Sequence, residues 1–353
     1  MAKNNQLLWL DSSDRDLWNR WLSQLPKGKR DIYYNPDYLN LYARHEGVVN
    51  CYIFNRGNKV YLYPFIARPV PEITGYFDIT SAYGYGGPIS NSDDPTFLEE
   101  AYTRFIQETC KRNIVAEVIK FHPLLNNHSL LETYYKGVIK KICSTVHVEV
   151  NLDEQYRWEK VYTHANRKNI NKAKRYHVKI RLGKDDELWE EFQKLYENTM
   201  KANKARDFYF FSKRYFNDLK MNLADNYILI SCILKEKIIT VMLVLLGTDY
   251  AHCHLIGTNN EYIGLGINNL LHHELIIWCK ENGYSKLHIG GGRGNHNDDS
   301  LLRFKKNFSD KLTSFYIGEH ILNKQIYDEL CMRSSLENHE NGSDHLFKYR
   351  SFS

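Results

Sequence analysis

The segment from Tyr250 to Gly318 constrains the fold of this chain more than any other part of it. It reads YAHCHLIGT, then NNEYIGLGINNLLHHELIIWCKENGY, then SKLHIGGG and, after a short polar loop, DDSLLRFKKNFSDKLTSFYIG. The pattern predicts a strand, a glycine turn that opens a long helix, a second strand, a short basic helix and a third strand. A glycine turn in front of a helix presents free backbone N–H groups, which favour an anionic, phosphate-bearing ligand.

The composition sets the class of protein. A chain of 353 residues is long enough for two domains, and 43% hydrophobic with 25% charged residues is ordinary for a soluble globular protein. A net charge of +5 is too small to indicate nucleic-acid binding by itself. The seven cysteines form no C-x-x-C pair. The N-terminus has no apolar core of the kind found in signal peptides. The longest apolar run, Ile238–Leu246, is too short to cross a bilayer. We therefore expect a cytoplasmic protein, with work at the inner membrane face left open.

The two halves of the chain predict the same order of elements. Each half reads as a strand, two helices, two or three strands of a meander, a helix, a strand and a terminal strand. This repetition predicts two tandem copies of one α/β unit. We expect the first unit over residues 1–151, the second over 152–322, and a peripheral polar tail over 323–353.

Four segments carry a resemblance to a known family. They are YGYGGP at Tyr83–Pro88, NRKNINKAKRY at Asn166–Tyr176, IGLGINNLL at Ile263–Leu271 and RFKKNF at Arg303–Phe308. With the order of elements, they resemble the GNAT acyltransferase fold and, as two units in tandem, the Fem-like (FemAB-type) acyltransferases. That group includes aminoacyl-tRNA-dependent peptidyltransferases and enzymes found with surface-polysaccharide genes. The resemblance covers the chain to about Leu322.

The resemblance has consequences for the fold. It implies an α+β fold in which each unit has a mixed, mostly antiparallel sheet flanked by helices. It also implies that the second unit binds the donor and carries out catalysis. The first unit shows no glycine turn equivalent to Gly264–Gly266, so we expect it to serve the acceptor side without a donor site. This chain has no sustained heptad repeat, and so departs from the Fem enzymes that carry a coiled-coil arm.

The resemblance also implies roles for Phe304 and Lys305. In the Fem relatives a Phe-Lys pair lies beside the reacting centre, and the lysine steadies the oxyanion of the tetrahedral intermediate. Consecutive residues of a helix point about 100° apart, so Lys305 and Lys306 cannot both face that centre. The structural alternative is a pair of solvated lysines on a surface helix.

The donor is expected at the glycine turn. The segment GLGINN does not complete the motif G-x-G-x-x-G, because position 269 is Asn. The match to the dinucleotide-binding fingerprint is therefore poor. The resemblance implies instead that Gly264, Leu265, Gly266 and Asn268 hold the pyrophosphate of acyl-CoA, or that their cleft receives the aminoacyl end of tRNA. A simple tight turn is the structural alternative.

Two other segments are candidates for contact with an anion. The glycine run Gly290–Gly294 is not a P-loop, and it is either a mobile loop from which Arg293 reaches an anionic group or a flexible connector. The basic segment Arg167–Lys184 is either a solvated helix face or a footprint for nucleotide or tRNA phosphate.

Polar and aromatic side chains supply the remaining candidates. His252 and His254 alternate along one strand, so either could accept a proton from an attacking amine, or be hydrogen-bonded within the sheet. No third ligand at useful spacing accompanies them, and we expect no metal site. For the acceptor, the resemblance favours Asp78, Tyr83, Tyr85 and Gly86, which otherwise read as a glycine turn with packed tyrosines.

The function expected from these residues is N-acyl transfer. No G-x-S-x-G elbow and no cysteine paired with a base is evident, which is consistent with direct attack by an amine. We expect acyl-CoA as a donor substrate without any permanently bound cofactor. The expected acceptor is a nucleotide- or lipid-linked amino sugar of surface-polysaccharide biosynthesis in the cell envelope. The alternatives are an aminoacyl-tRNA-dependent transferase that acts on a peptidoglycan or glycan precursor, and a non-catalytic binding module with degenerate GNAT units.

Overall fold

The chain divides into two compact units. A computed structural model describes residues 5–43, 47–293, 299–337 and 346–350. The first unit comprises Met1–Ile142 together with Phe315–Ser353, and the second comprises Cys143–Ser314. Both units are α+β, with helices against a sheet, as the sequence predicts.

The first unit is built on a mixed sheet with strand order β1-β2-β3-β4-β6. The strands are joined antiparallel, except that β4 and β6 run parallel, and the segment Ile317–Ile321 of the first unit pairs antiparallel with β6. Aromatic residues of β2, β3 and α3 fill the core between sheet and helix. The elements are β1 Asn5–Asp11, α1 Arg15–Leu22, α2 Pro36–Ala43, β2 Val48–Arg56, β3 Lys59–Pro69, β4 Phe77–Thr80, β5 Ile89–Ser90, α3 Pro95–Lys111 and β6 Ile114–Lys120.

The second unit has strand order β7-β12-β11-β10-β9-β8, in which only β11 and β12 run parallel. Its core lies between this sheet and helices α5 and α8. The elements are β7 Val138–Glu149, α4 Glu154–Tyr156, α5 His164–Arg175, β8 Lys179–Gly183, α6 Asp186–Ala202, α7 Lys213–Asn222, β9 Tyr227–Leu234, β10 Lys237–Leu246, β11 Tyr250–Thr258, α8 Ile267–Glu281, β12 Lys286–Gly291, α9 Ser300–Lys306 and β13 Leu312–Ile321.

Side-chain caps explain where several helices begin. Asp94 accepts a hydrogen bond from the backbone N–H of Thr96, and proline occupies the first position of α3. Asp185 caps α6 through the N–H of Leu188. Such caps satisfy N–H groups that have no acceptor within the helix, and they fix the first turn at a defined residue.

The C-terminal region differs from the peripheral polar tail expected over 323–353. Helix α10, Lys324–Glu337, and the segment 346–350 belong to the first unit. Tyr327 and Leu330 of the helix and Phe347 and Tyr349 of the segment are buried against its sheet. Residues 323–353 are polar on average, so their composition did not reveal these few apolar side chains, which pack together in one buried cluster. The predicted boundary at 151 also differs from the structure, in which the chain enters the second unit at Cys143 within β7.

Candidate active site

The second unit has an opening in its sheet between β11 and β12. The two strands pair only over Tyr250–His252 and Lys286–His288. Beyond these pairs β11 continues to Thr258 and β12 to Gly291, but no further pair joins the two strands. Strands that separate inside a sheet present backbone N–H and C=O groups along the gap, and an extended ligand can pair with such groups.

A β-bulge lies on the β11 side of this opening. Leu243 of β10 faces Leu255, but the next residue, Val244, faces Cys253, so that His254 is the extra residue. Bulges re-aim side chains and are common next to active sites. The bulge also interrupts the regular alternation of side chains that the sequence predicts for His252 and His254.

The two histidines have different surroundings. His252 is buried at the base of the opening, with its ring centroid 5.6 Å from that of His288. His254 is half-buried, and its Nε2 lies 3.3 Å from the Tyr215 hydroxyl. Burial, reinforced by the neighbouring His252, lowers the pKa of His254 to about 3. The His254 imidazole is therefore neutral at pH 7 and a weak proton acceptor.

Lys305 lies between the separated strands. Its Nζ donates a hydrogen bond to the carbonyl oxygen of Gly291 at the end of β12, at 2.7 Å. Burial lowers the pKa of Lys305 to about 8, an effect opposed in part by Cys253 on β11, by Asp299 and by Cys143. Lys305 is half-buried, whereas Lys306, the next residue, is exposed. Of the two lysines, Lys305 is therefore the one placed at the opening.

Phe304 holds helix α9 against helix α8. Its ring lies 5.3 Å from the ring of His272 and 5.4 Å from that of Phe308. His272 Nδ1 is 2.7 Å from the carbonyl oxygen of Asn268, one turn earlier in α8. Phe304 thus connects the helix that carries Lys305 to the first turns of α8.

The glycine turn in front of α8 is open on one side and packed on the other. Gly264 is exposed, and a Cβ added there would meet no atom within 4 Å. Gly266 has a φ of +79°, and a Cβ there would lie 2.4 Å from the carbonyl oxygen of Asn169 in α5. Glycine is therefore required at 266 by conformation and by contact. The turn leaves the first N–H groups of α8 without acceptors inside the helix.

The other two predicted donor residues of the turn anchor it to the rest of the unit. Leu265 is half-buried and packs against the hydrophobic core. The side-chain oxygen of Asn268 accepts hydrogen bonds from the hydroxyls of Thr258, at 3.4 Å, and Thr240, at 3.5 Å. Asn268 therefore joins the start of α8 to β10 and β11 at the end of the opening.

A buried asparagine network fixes α5 against both α8 and α9. Asn166 is fully buried, accepts a hydrogen bond from Asn269 Nδ2 at 2.8 Å, and donates to the carbonyl oxygen of Asn307 at 2.9 Å. Thr163 donates from its hydroxyl to the Asn307 side chain at 2.7 Å. Sequence reasoning missed these residues, although two asparagines at core positions of helices are the signal that could have found them.

Arg293 is not brought to the glycine turn by any described contact. Its guanidinium donates to Asn203 Oδ1 at 3.1 Å, and its backbone N–H donates to Asp299. The remainder of the predicted glycine loop, residues 294–298, lies outside the described residues.

Asp78 occupies a structural position in the first unit instead of the acceptor-binding position that we predicted. Its side chain has no exposed surface. One carboxylate oxygen accepts from Arg68 Nε at 2.8 Å, and the other from Arg350 Nε at 2.6 Å and the Tyr349 hydroxyl at 3.1 Å. A carboxylate buried with these partners has no room for a substrate amine, so Asp78 is removed from the candidate site.

The other predicted acceptor residues lie in an aromatic cluster of the first unit. Tyr83 and Tyr85 are half-buried, and the Tyr85 ring lies 5.3 Å from that of Tyr33. Gly86 is buried, and its carbonyl oxygen accepts from Asn127 Nδ2 at 2.8 Å. Tyr83 and Tyr85 therefore keep exposed edges, whereas Gly86 shapes the loop from within.

The first unit has no counterpart of the opening between its own parallel strands in the described part of the chain. Strands β4 and β6 pair up to Thr80 and Val118, and the backbone N–H of Ser81 continues the ladder. A further parallel bridge joins Gly86 to Phe121. The backbone pairing at Ser81 and Gly86 thus leaves no gap between β4 and β6 into which an extended ligand could fit.

Comparisons with known proteins agree with this architecture. Residues 163–306 match the family of acetyltransferase (GNAT) domains. The fold is similar to that of FemX, with a TM-score of 0.69, 13% identity, and coverage of 92% of this chain and 99% of that one. It is also similar to the C-terminal domain of a protein described as a lysylphosphatidylglycerol synthetase, from Agrobacterium fabrum (TM-score 0.57, 12% identity, 92% and 96% coverage). A tandem GNAT protein from the clavulanic acid biosynthesis pathway gives a TM-score of 0.51 at 9% identity, with 90% and 98% coverage. No curated protein matches the sequence significantly.

The match places a GNAT acetyltransferase domain within the second unit and supports an acyltransferase. The similarity of fold to FemX and to the tandem GNAT protein confirms the predicted fold class of two tandem GNAT-like units. No helix in the described ranges is long and apolar enough to span a membrane.

Proposed function

We propose that the protein transfers an acyl group from acyl-CoA to the amine of a nucleotide- or lipid-linked amino sugar. The observation that carries this proposal is the opening between β11 and β12, with Lys305 inside it and an unsealed glycine turn beside it. Together they offer a place for an extended arm, for a diphosphate and for a developing negative charge.

In the proposed complex, the donor diphosphate binds the first N–H groups of α8, beside the turn at Gly264–Gly266. The N–H of Gly266 itself donates to the carbonyl oxygen of Ile263 at 3.1 Å and so shapes the turn. The pantetheine arm lies between the separated strands, where its amides pair with free backbone groups, and the thioester carbonyl lies near Lys305. The amine attacks this carbonyl, a C–N bond forms, and the C–S bond breaks. The thiolate of CoA leaves, and the amine loses a proton.

The proposed roles follow from the surroundings of each group. The Lys305 ammonium stabilises the oxyanion of the tetrahedral intermediate, because it is already desolvated and positioned before the charge develops. His252 is the proposed proton acceptor, since the low pKa of His254 makes that imidazole a weak one. Phe304 positions the helix of Lys305, and Asn268 positions the turn.

For the acceptor side we propose the first unit. Its parallel strands are closed, which supports a role other than donor binding. The exposed edges of Tyr83 and Tyr85 provide flat apolar surface with polar hydroxyls, which suits the faces and hydroxyl groups of a sugar. Gly86 supports the loop that carries these tyrosines.

A second candidate function, aminoacyl transfer from charged tRNA, is favoured by the extent of the fold similarity to FemX. The basic segment supports it less than its composition suggests. Arg167 donates to the backbone oxygens of Trp158 and Tyr162, and Lys174 pairs with Glu274. These cations are therefore engaged within the protein.

Mass spectrometry of products tests the two candidates directly. Acetyl-CoA or charged tRNA is offered with a panel of amino-sugar nucleotides, and the acceptor mass is followed. An acetylated amino sugar that forms with the wild type and with Lys306→Met, but not with Lys305→Met, supports the proposal. Products only from charged tRNA support the second candidate. Absence of CoA binding by calorimetry, with no product from either donor, rules out both functions.

A further inference from the structure

Helix α5 lies directly against the glycine turn and contributes a cation to it. Lys172 Nζ donates a hydrogen bond to the carbonyl oxygen of Gly264 at 2.7 Å. The backbone of Asn169 packs on Gly266 so closely that no Cβ would fit between them. The amine of Lys172 offsets the negative end of the turn carbonyl, and the surroundings of the turn N–H groups become more positive.

Two more cations share the face of α5 that carries Lys172. At 100° per residue, Lys168 and Arg175 lie within about 60° of Lys172 around the helix, on the side away from Asn169. Both are exposed, and neither has an ion pair or hydrogen bond within the described residues. We refer to Lys168, Lys172 and Arg175 as the α5 cation row. Lys172 joins the row to the turn, and the other two cations are exposed to solvent.

The other charges near the turn distinguish this row from an ordinary solvated helix face. Lys174 of the same helix is not part of the row, because it forms an ion pair with Glu274 of α8 at 3.4 Å. Glu261 is exposed at the beginning of the turn, and its carboxylate lies 3.5 Å from the side-chain nitrogen of Asn259. Glu261 opposes an anion there, so the row must supply the compensating positive charge if a ligand with several phosphates binds.

We infer that the α5 cation row is a second phosphate-binding site, which holds a terminal phosphate of a nucleotide donor outside its diphosphate. The inference rests on the proposed function, since the diphosphate must first occupy the turn. Coenzyme A, with a diphosphate and a separate 3′-phosphate on one adenosine, has this arrangement of charges. The row recognises the 3′-phosphate, and the turn recognises the diphosphate.

Calorimetry with CoA and 3′-dephospho-CoA tests the inference, because the two probes differ only in that phosphate. The wild type is expected to bind CoA about tenfold more tightly than 3′-dephospho-CoA at low salt, as a few exposed charge pairs would give. In Lys168→Gln/Arg175→Gln the preference should fall to about one, while the affinity for 3′-dephospho-CoA stays unchanged. Glu261→Gln should bind both probes more tightly. Lys324→Gln, an exposed lysine of α10, is the control.

The possible outcomes separate the inference from the proposed function. If both probes bind but the double variant keeps the wild-type preference, the cation row is not a phosphate site and acyl-CoA transfer still stands. If neither probe binds the wild type, the proposed function fails and the inference fails with it. If charged tRNA binds and CoA does not, and the double variant lowers the salt dependence of tRNA binding, the row contacts RNA and the inference is overturned.

Discussion

Replacing Lys305 by methionine removes the ammonium from the opening between β11 and β12 while keeping most of the side-chain length. Burial lowers the pKa of this lysine from 10.5 to about 8. At about 1.4 kcal/mol per pKa unit, the buried ammonium is destabilised by roughly 3 kcal/mol relative to water. A developing oxyanion beside it can recover energy of this order. We therefore expect Lys305→Met to lower kcat by about a hundredfold, within the range found for lost oxyanion donors.

The ratio of wild-type to Lys305→Met activity isolates the contribution of the ammonium, since the acceptor amine and other titrating groups affect both proteins equally. With the ammonium as the active form, this ratio is constant below pH 8 and falls about tenfold per pH unit above it. If neutral Lys305 were instead a general base, the ratio would rise with pH and level off above 8. CoA release followed with a thiol reagent, at saturating donor from pH 6 to 10, distinguishes the two.

Loss of stability should not complicate this measurement. The pKa of Lys305 in the folded chain lies below its unfolded value, so the cost of burying the charge is present below pH 8. That cost is lost as the pH rises from 8 toward 10.5, and the methionine variant never incurs it. Lys305→Met should thus be at least as stable as the wild type at pH 7. A stable variant with unchanged kcat would refute the proposed role of Lys305.

Two expected outcomes concern stability. Gly266→Ala should destabilise the protein by about 1–3 kcal/mol, because the left-handed backbone is strained by a side chain and the added Cβ would meet a carbonyl oxygen of α5 at 2.4 Å. Gly264→Ala meets no atom within 4 Å and should leave the free energy of unfolding unchanged. Arg350→Ala should cost about 1–3 kcal/mol, because it removes one partner of a fully buried carboxylate. Arg333→Ala, from an exposed pair in α10, should change stability by less than about 0.5 kcal/mol.

Urea denaturation at pH 7 measures all four variants. Equal unfolding midpoints for Gly266→Ala and Gly264→Ala would mean that the contact with α5 relaxes without cost. Equal midpoints for Arg350→Ala and Arg333→Ala would mean that the C-terminal segment does not stabilise the first unit, and the original expectation of a peripheral tail would then be the better one.

Local sequence patterns were sufficient for the elements around the candidate site. The bounds of α6, β9 and β10 coincide with helix caps and with runs of apolar residues that the sequence displays. The turn at Gly264–Gly266 and the short helix of Lys305 were predicted on the same grounds. Each of these features is decided by residues within a few positions of one another, which a single sequence displays directly.

Features that depend on distant residues could not be predicted in this way. Asp78 meets Arg350 across 272 positions, and Asn166 meets Asn307 across 141 positions. Neither pair leaves a periodic signal. The resemblance implied that Asp78 binds an acceptor, and nothing in the sequence indicates that an arginine near the C-terminus is its partner.

The opening in the sheet could not be predicted from the sequence either. It depends on where the pairing of β11 and β12 stops, and these strands are distant in the sequence. Both units contain a parallel strand pair in the same position of the GNAT-like order, and the two pairs differ chiefly in length. In the first unit the ladder continues past Thr80 and closes at Gly86. In the second unit it stops at His252, and a bulge follows at once on β11. A change in the extent of pairing is therefore enough to give two units of one architecture, one with a closed sheet and one with an opening in its sheet.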